Sequence, residues 1–397
     1  MKAYKFEIQP NNEQKELLEK HFGACRFVYN FGLTKKIETY QKEKKTINCF
    51  ALMKDLTEMK KQEDKQWLNE INSQALQQSL RNLDNAFTSF FRGNGGFPKL
   101  KSKKKSRASF QCPQGVKIDF DKWLLKLPKF KHPLKICADR GGLIFNTELL
   151  KTVTVSKTRT GRYFISCIVD EDMSQPNKKP VDDKTTIGLD LGLKHFCVAS
   201  NNTKVGNPKF YAKAIDKLAV LQRRLSKKQK QSKRYENQQK KITKLHEHIA
   251  WQRRDFLNKI SYNFVSDKQV STICMEDLNV SGMLKNRKLS RHISDAGWYT
   301  FKQMIEYKCD WLGKNFVQIN RFEPSSKLCS ICGYHKADLK LSDREWECPT
   351  CKTKHDRDIN ASVNIKNFGL IKLQGGEGNP RCINKALPMD LAVVKTV

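Results

Sequence analysis

The chain has 397 residues, 75 Lys+Arg against 41 Asp+Glu and a formal net charge of +34; it is too long for one ordinary core and suits about two to four domains of about 100–200 residues each. Such a basic excess draws polyanions, nucleic acid first and acidic membrane surfaces second, while an apolar fraction of 38% with 22 Phe excludes a disordered chain. No apolar run reaches the roughly 18–20 residues of a membrane span, and the opening Met1-Lys-Ala-Tyr-Lys-Phe-Glu7 lacks a signal-peptide core, so a soluble cytoplasmic protein without membrane partners is expected.

In chain order, residues 2–8 alternate like a strand, and Pro10-Asn-Asn12 opens a helical region in which Leu17, Leu18, Phe22, Phe27, Val28 and Phe31 recur at helical spacing. Further helices are predicted over 52–59 and 72–91, ending at Arg92-Gly-Asn-Gly-Gly96. Lys99, Lys101, Lys103, Lys104, Lys105 and Arg107 then crowd six cations into nine positions, suited to a phosphate backbone or to a solvated linker. Residues 110–169 break into short alternating stretches that predict a small β-barrel. The polar run Glu171–Lys184, with Pro176 and Pro180, reads as a domain boundary.

Beyond it, 186–200 predicts a buried strand and its neighbour, followed by two helices with apolar faces at Ile215, Leu218 and Leu225 and at Ile242, Leu245, Ile249, Phe256 and Ile260. Between them Arg223, Arg224, Lys227 and Lys228 head a stretch, 223–241, with nine cations against one acid; a helical hairpin with a basic tip follows, facing either nucleic acid or solvent. Strands at 270–275 and 317–319, helices at 298–312 and from Asp358, and a fraying tail beyond Gly369 complete the expectation.

Thirteen cysteines do not make this a disulfide scaffold, because nine are scattered singly. The other four, Cys329-x-x-Cys332 and, fifteen residues on, Cys348-x-x-Cys351, have the spacing at which two tight turns offer four thiolates to one structural Zn²⁺; a redox pair is the competing reading. Three acids stand where strands or a structured turn would hold them: Asp190 in Ile187-Gly-Leu-Asp-Leu-Gly-Leu-Lys-His195, Glu276 in Ile273-Cys-Met-Glu-Asp-Leu278, and Asp358 in His355-Asp-Arg-Asp-Ile-Asn-Ala-Ser362. Carboxylates gathered together repel unless a cation lies between them, and strand, acid, basic helices, strand, acid, helix with acid is the order of an RNase H-like nuclease. Such a site holds two divalent ions for in-line displacement, Mg²⁺ or alternatively Mn²⁺. The bland alternatives are that Asp190 is a turn residue, that Glu276 pairs with a lysine and that Asp358 merely caps the last helix. A sugar-kinase or actin-like phosphate turn at Asp190 is a further option, although Leu193 stands where those proteins carry a hydroxyl. His355 reads as structural rather than as a ligand or base.

These motifs, together with Gly23-Ala-Cys-Arg-Phe-Val-Tyr-Asn30, Gln77-Gln-Ser-Leu-Arg-Asn-Leu83 and Phe97-Pro-Lys-Leu-Lys101, make residues 1 to about 368 resemble the TnpB (OrfB) family. Its members are RNA-guided nucleases of insertion sequences, related to miniature type V CRISPR effectors. The resemblance implies an α/β multidomain chain with a β-barrel wedge domain at 1–10 and 97–175, a helical recognition domain at 11–96, and an RNase H-like RuvC nuclease domain at 181–320 and 354–369. A zinc ribbon that binds target nucleic acid is implied at 321–353, and a flexible tail at 370–397. It implies that Asp190, Glu276 and Asp358, the last rather than Asp356, are a Mg²⁺-binding catalytic triad, and that Cys329, Cys332, Cys348 and Cys351 match the family's ribbon. Guide RNA and double-stranded target DNA would be the partners of a monomeric ribonucleoprotein in the prokaryotic cytosol or nucleoid. Base pairing would supply specificity while the protein reads backbone shape and a short flanking motif; Gln77, Gln78 and Asn82 can hydrogen-bond base edges or face solvent. A CRISPR-associated effector, a non-cleaving guided regulator and a strand-joining transposase are the alternative readings.

Overall fold

A computed structural model describes residues 1–137, 144–170, 176–340 and 342–375, and the chain divides into two compact units, Met1–Asp172 and Met173–Val397. Residues 171–175 of the expected boundary run, and the tail from 376, lie outside the described residues.

In the first unit, β1 (Lys2–Gln9) is followed by α1 (Asn12–Glu43), α2 (Cys49–Met59) and α3 (Ser73–Phe91). The strands β2 (Ala108–Cys112), β3 (Lys117–Asp119), β4 (Leu124–Lys126), β5 (Leu134–Ile136), β6 (Leu150–Lys157) and β7 (Tyr163–Val169) come after them. All seven make one antiparallel sheet in the order β2-β6-β7-β1-β5-β4-β3. β1 is thus central, and its period-two alternation buries Phe6 and Ile8. Helix α1 starts where the sequence signals it: Asn11 accepts from Gln14 N–H at 2.8 Å and the Gln14 side chain returns the bond to Asn11 N–H at 3.0 Å, a reciprocal cap. Helices and sheet share a single core in which Leu18 and Phe22 of α1 join Phe110 and Ile165 of the sheet. The division expected at 96/97 is therefore not a packing boundary; the apolar faces of the helices need the sheet to cover them.

The second unit is built on β8 (Thr186–Leu191), β9 (His195–Ala199), β10 (Lys204–Gly206), β11 (Thr272–Glu276) and β12 (Asn315–Ile319), in the order β10-β9-β8-β11-β12. β9 runs antiparallel to β8 and β10, while β11 is parallel to both β8 and β12. The helices are α4 (Phe210–Ser226), α5 (Lys233–Ser266), the short α6 (Val280–Met283) and α7 (Ser290–Ala296), and α8 (Trp298–Trp311). A two-stranded ribbon, β13 (Glu345–Glu347) with β14 (Lys354–Asp356), leads into α9 (Arg357–Leu373). One face of the sheet, with Ile187, Leu189, Ile273 and Met275, buries against Leu257 and Val265 of α5 and Phe301 and Ile305 of α8. On the other face Cys274, Val317 and Ile319 meet Ile365 and Phe368 of α9.

Two glycines let α9 lie directly on the strands. A Cβ at Gly188 would stand 2.0 Å from the Ser362 carbonyl oxygen and 2.5 Å from Lys366 N, and one at Gly369 2.2 Å from Cys274 Sγ. Gly369 is therefore a packing residue inside the helix rather than its end, and α9 continues to Leu373, four residues past Gly369.

Candidate active site

Strand alternation and register place the first two acids together. On the parallel pair β8/β11, Gly188 is opposite Cys274 and Leu189 opposite Met275, so one step further along puts Asp190 and Glu276 side by side at the carboxyl ends of the strands, where open α/β sheets carry their ligands. Both follow by two residues a position that α9 packs against, Gly188 and Cys274, and so lie on the face that α9 covers. Asp358 stands in the first turn of that helix.

The electrostatics agree. The Asp190 carboxyl is pushed up to about 7, first by burial, then by the negative charges of Glu276 and Asp358, against the pull of Arg357 and a hydrogen bond from Leu191 N–H. Burial also raises Glu276, opposed by the Ser325 hydroxyl, which donates to Glu276 Oε1 at 3.1 Å. Arg344 Nη1 lies 3.4 Å from Asp358 Oδ1. None of the bland alternatives describes these acids: Asp190 is within β8, Glu276 meets a serine rather than a lysine, and the cap of α9 is Asp356. Asp356 accepts from Asp358 N–H at 3.0 Å and Ile359 N–H at 3.1 Å and pairs with Lys204 Nζ at 2.6 Å, so its oxygens are spoken for. Three acids, of which Glu276 and Asp358 raise the proton affinity of Asp190, with oxygen donors only, suit a hard divalent cation such as Mg²⁺ or Mn²⁺.

The cysteine cluster is a different construction. The four Sγ atoms all lie within 4.8 Å of one another, with Cys329 to Cys351 at 3.6 Å and Cys332 to Cys348 at 3.5 Å; tetrahedral zinc with sulfur at about 2.3 Å has edges of about 3.8 Å. The cluster could hold that ion. Each pair is set by the same turn: Gly333 N–H donates to Cys329 O and Lys352 N–H to Cys348 O, both at 2.9 Å, and both residues are left-handed, φ 75° and 57°. His355 Nε2 lies 3.1 Å from Cys329 Sγ and its ring packs on Trp346 at 4.7 Å; burial lowers its pKa, and the ring is placed as a hydrogen-bond partner of that sulfur.

Three buried side chains, none signalled in the sequence reading, tie the cysteine turn to the acids. Asn360 donates to Leu328 O at 2.7 Å and accepts from Ser330 N–H at 3.0 Å, and Asn364 donates to Leu328 O and Ser325 O, each at 2.7 Å. With Ser325 on Glu276, both clusters hang on α9. Only the short polar type of Asn360 and Asn364, spaced by four on a helix, hints at this in the sequence.

The candidate nucleic-acid contacts divide. Gln77 and Asn82 are exposed on α3, though Asn82 Oδ1 accepts from Gln78 Nε2 at 3.2 Å. Lys99, Lys103, Lys104, Lys105 and Arg107 are exposed, Arg107 also reaching Ser156 Oγ at 3.2 Å. Lys101 is a correction: its ammonium sits 3.6 Å from the centre of the Tyr29 ring, burial lowers its pKa, and its backbone is clamped by Asn30. It packs the fold instead of reaching outward. Arg223, Arg224 and Lys227 are exposed and Lys228 half-buried at the turn between α4 and α5, a basic hairpin tip. Among the described residues, no helix is long and apolar enough to cross a membrane.

Family profiles match residues 1–45 ("Helix-turn-helix domain"), 164–287 ("Probable transposase") and 298–365 ("Cas12f1-like, TNB domain"). The first name does not describe what is seen: residues 1–45 form β1 and the single long helix α1. A Streptomyces pristinaespiralis protein named "Putative RNA-guided DNA endonuclease" is 38% identical over 95% of this chain and 91% of its own. Its Escherichia coli K12 counterpart InsQ, named likewise, is 32% identical over 95% and 94%. The fold is similar to that of the protein in a solved Cas12f1-sgRNA-target DNA complex, with a TM-score of 0.59 and 18% identity over 90% of this chain and 83% of that one. Since these likenesses run nearly end to end, the chain belongs to the TnpB (OrfB) family.

Proposed function

We propose that the chain is a transposon-encoded, RNA-guided DNA endonuclease whose Asp190, Glu276 and Asp358 hold divalent metal for phosphodiester hydrolysis. The observation that carries the reading is the convergence of these acids from β8, β11 and α9, with Asp190 raised to about 7 by burial and by the charges of the other two. The names of the relatives and the sheet order, three antiparallel strands followed by two parallel ones, support an RNase H-like RuvC nuclease. Bound Mg²⁺ would supply an activated water and charge neutralisation at the leaving oxygen.

The protein's own part is positional. The Ser325 hydroxyl fixes one Glu276 oxygen, Asp356 locks the first turn of α9 so that Asp358 faces the strand ends, and Arg344 neutralises part of its charge. The tetrathiolate site holds structural zinc in a ribbon that approaches target nucleic acid, and the exposed cations of 99–107 and 223–228 take guide RNA and DNA phosphates. Specificity beyond a short flanking motif comes from base pairing.

The test is plasmid cutting with Mg²⁺ by protein carrying its copurified RNA, on a target matching that RNA beside a randomised flank. Cutting next to a fixed motif is expected, and Asp190→Ala lowers the rate by about 10³-fold or more, several kcal/mol of charge stabilisation, while RNA and target stay bound. A plasmid bound but left whole by the wild type overturns the nuclease reading in favour of a guided regulator.

A further inference from the structure

A cleft of about 510 Å³ opens directly beside Glu276, and the acids' chemistry does not use it. Its walls include Leu284, Trp298, Tyr299, Lys302 and Arg321. Tyr299, in the first turn of α8, is 59% exposed and Leu284, lining the same cleft, 41%, so both present apolar surface to it. Trp298 is buried, yet its indole N–H has no acceptor; a buried indole ordinarily has one. Lys302 Nζ donates to a neutral acceptor, Gln318 Oε1, at 2.7 Å, whereas Arg321 is paired with Asp277 at 2.7 Å.

We propose that this cleft seats one unpaired base of the DNA strand to be cut, stacked on Tyr299, with its phosphate on Lys302. The inference deepens the nuclease reading and rests on it. An aromatic face flanked by a cation is the chemistry that holds single-stranded nucleic acid without choosing a sequence, and an acceptor on a base would satisfy the Trp298 donor. A peptide would match the apolar walls, but the net charge of +34 favours a polyanion as the occupant. The place also fits: a base held beside Glu276 fixes the adjoining phosphodiester at the strand ends where the acids converge, which is what positioning requires.

The experiment uses the full chain with its RNA and the Asp190→Ala substitution, so that nothing is cut. Single-stranded DNA 12-mers, each carrying one 5-iodouracil, are photocrosslinked and the adducts mapped by mass spectrometry. An adduct on Tyr299 is expected, with affinity at 0.3 M salt falling about tenfold in Tyr299→Ala and holding in Tyr299→Phe. Adducts confined to other residues, or affinity that Tyr299→Ala leaves unchanged, overturn the proposal. Wild-type plasmid cutting involves no Tyr299 variant, so the nuclease reading and the cleft fail separately.

Discussion

The four thiols of 329–351 and the three carboxylates joined at 358 share one helix as their anchor, yet they treat charge in opposite ways. The sulfurs are closed to within 4.8 Å of one another, with turn carbonyls and amides already paired around them and His355 behind one of them. The carboxylates, among the described residues, are not gathered to that distance; they are coupled through charge and only half-buried, and one is partly covered by Arg344. A closed set of four soft donors leaves an ion no vacant position and makes it part of the fold. An open set of hard donors leaves room for substrate and solvent and makes the ion exchangeable. One stretch of chain thus carries four thiols suited to a structural ion and, a few residues on, a carboxylate of the set proposed for chemistry.

Removing one thiol separates the two clusters most strongly. Cys348→Ser deletes one of four ligands from a site whose ion contributes about 10–16 kcal/mol to folding in isolated peptides, so zinc content should fall from one per chain toward none. Because Leu328 and Ser330 beside the cysteine turn are held by Asn360 and Asn364 of α9, the loss should propagate to Asp358 and abolish cutting as well. Chelation of zinc from the wild type should reproduce both effects, read as metal content and as a lowered first melting transition. A variant that melts and cuts like the wild type would show that the cluster is not a structural metal site.

A subtler cut goes through the linkage itself. Asn360→Leu keeps the branched outline of the side chain but strips the acceptor from Ser330 N–H and one donor from Leu328 O, and a buried backbone group left unpaired costs about 1–3 kcal/mol. A fall in melting temperature of about 2–4 °C per kcal/mol is expected for a unit of this size. Zinc should be retained, while the Mg²⁺ concentration needed for half-maximal cutting rises. If that requirement stays unchanged while the melting point falls, Asn360 supports the ribbon alone and the two sites are independent.

Much of this contrast is legible in the sequence, and the rest is hidden for physical reasons. The Cys-x-x-Cys spacing encodes its own turn, so Cys329 and Cys348 could be placed without the fold. Asp190 and Glu276 follow buried strand residues, and strand alternation alone puts each on the face of the residue two before it. What the sequence conceals is whatever depends on distant backbone: Ser325 finds Glu276 forty-nine positions away, and Asn360 and Asn364 bond to carbonyls 32 to 39 positions away. Gly369 looks like a helix stop because Gly commonly ends helices, and only the closeness of Cys274 reveals it as a contact. Lys101 belongs by composition to a solvated basic run, but Tyr29 draws it in. The helices of 12–91 read as a lobe of their own since nothing local announces that strands more than a hundred residues from β1 complete their core.

The mildest test compares the clusters by pH. In the metal-free protein the folded-state carboxyl of Asp190 lies at about 7, against an ordinary 3.8, so the folded state binds this proton more tightly than the unfolded state. The sign follows by linkage: the proton's contribution to stability is fully present below about pH 3.8 and is lost as pH rises through about 7. Asp190→Asn has no proton to lose, so in buffer free of Mg²⁺ its melting temperature should exceed that of the wild type by a margin that grows between pH 5 and pH 8. Glu276 is present in both proteins, so its own raised carboxyl largely cancels from the difference. Added Mg²⁺ should close the gap at pH 8, where the ion replaces the missing proton, and do little at pH 5. The four-cysteine cluster, loaded with zinc, should contribute no such dependence in this range. A gap of equal size at pH 5 and pH 8 would mean that Asp190 is neither crowded by its neighbours nor in need of a cation.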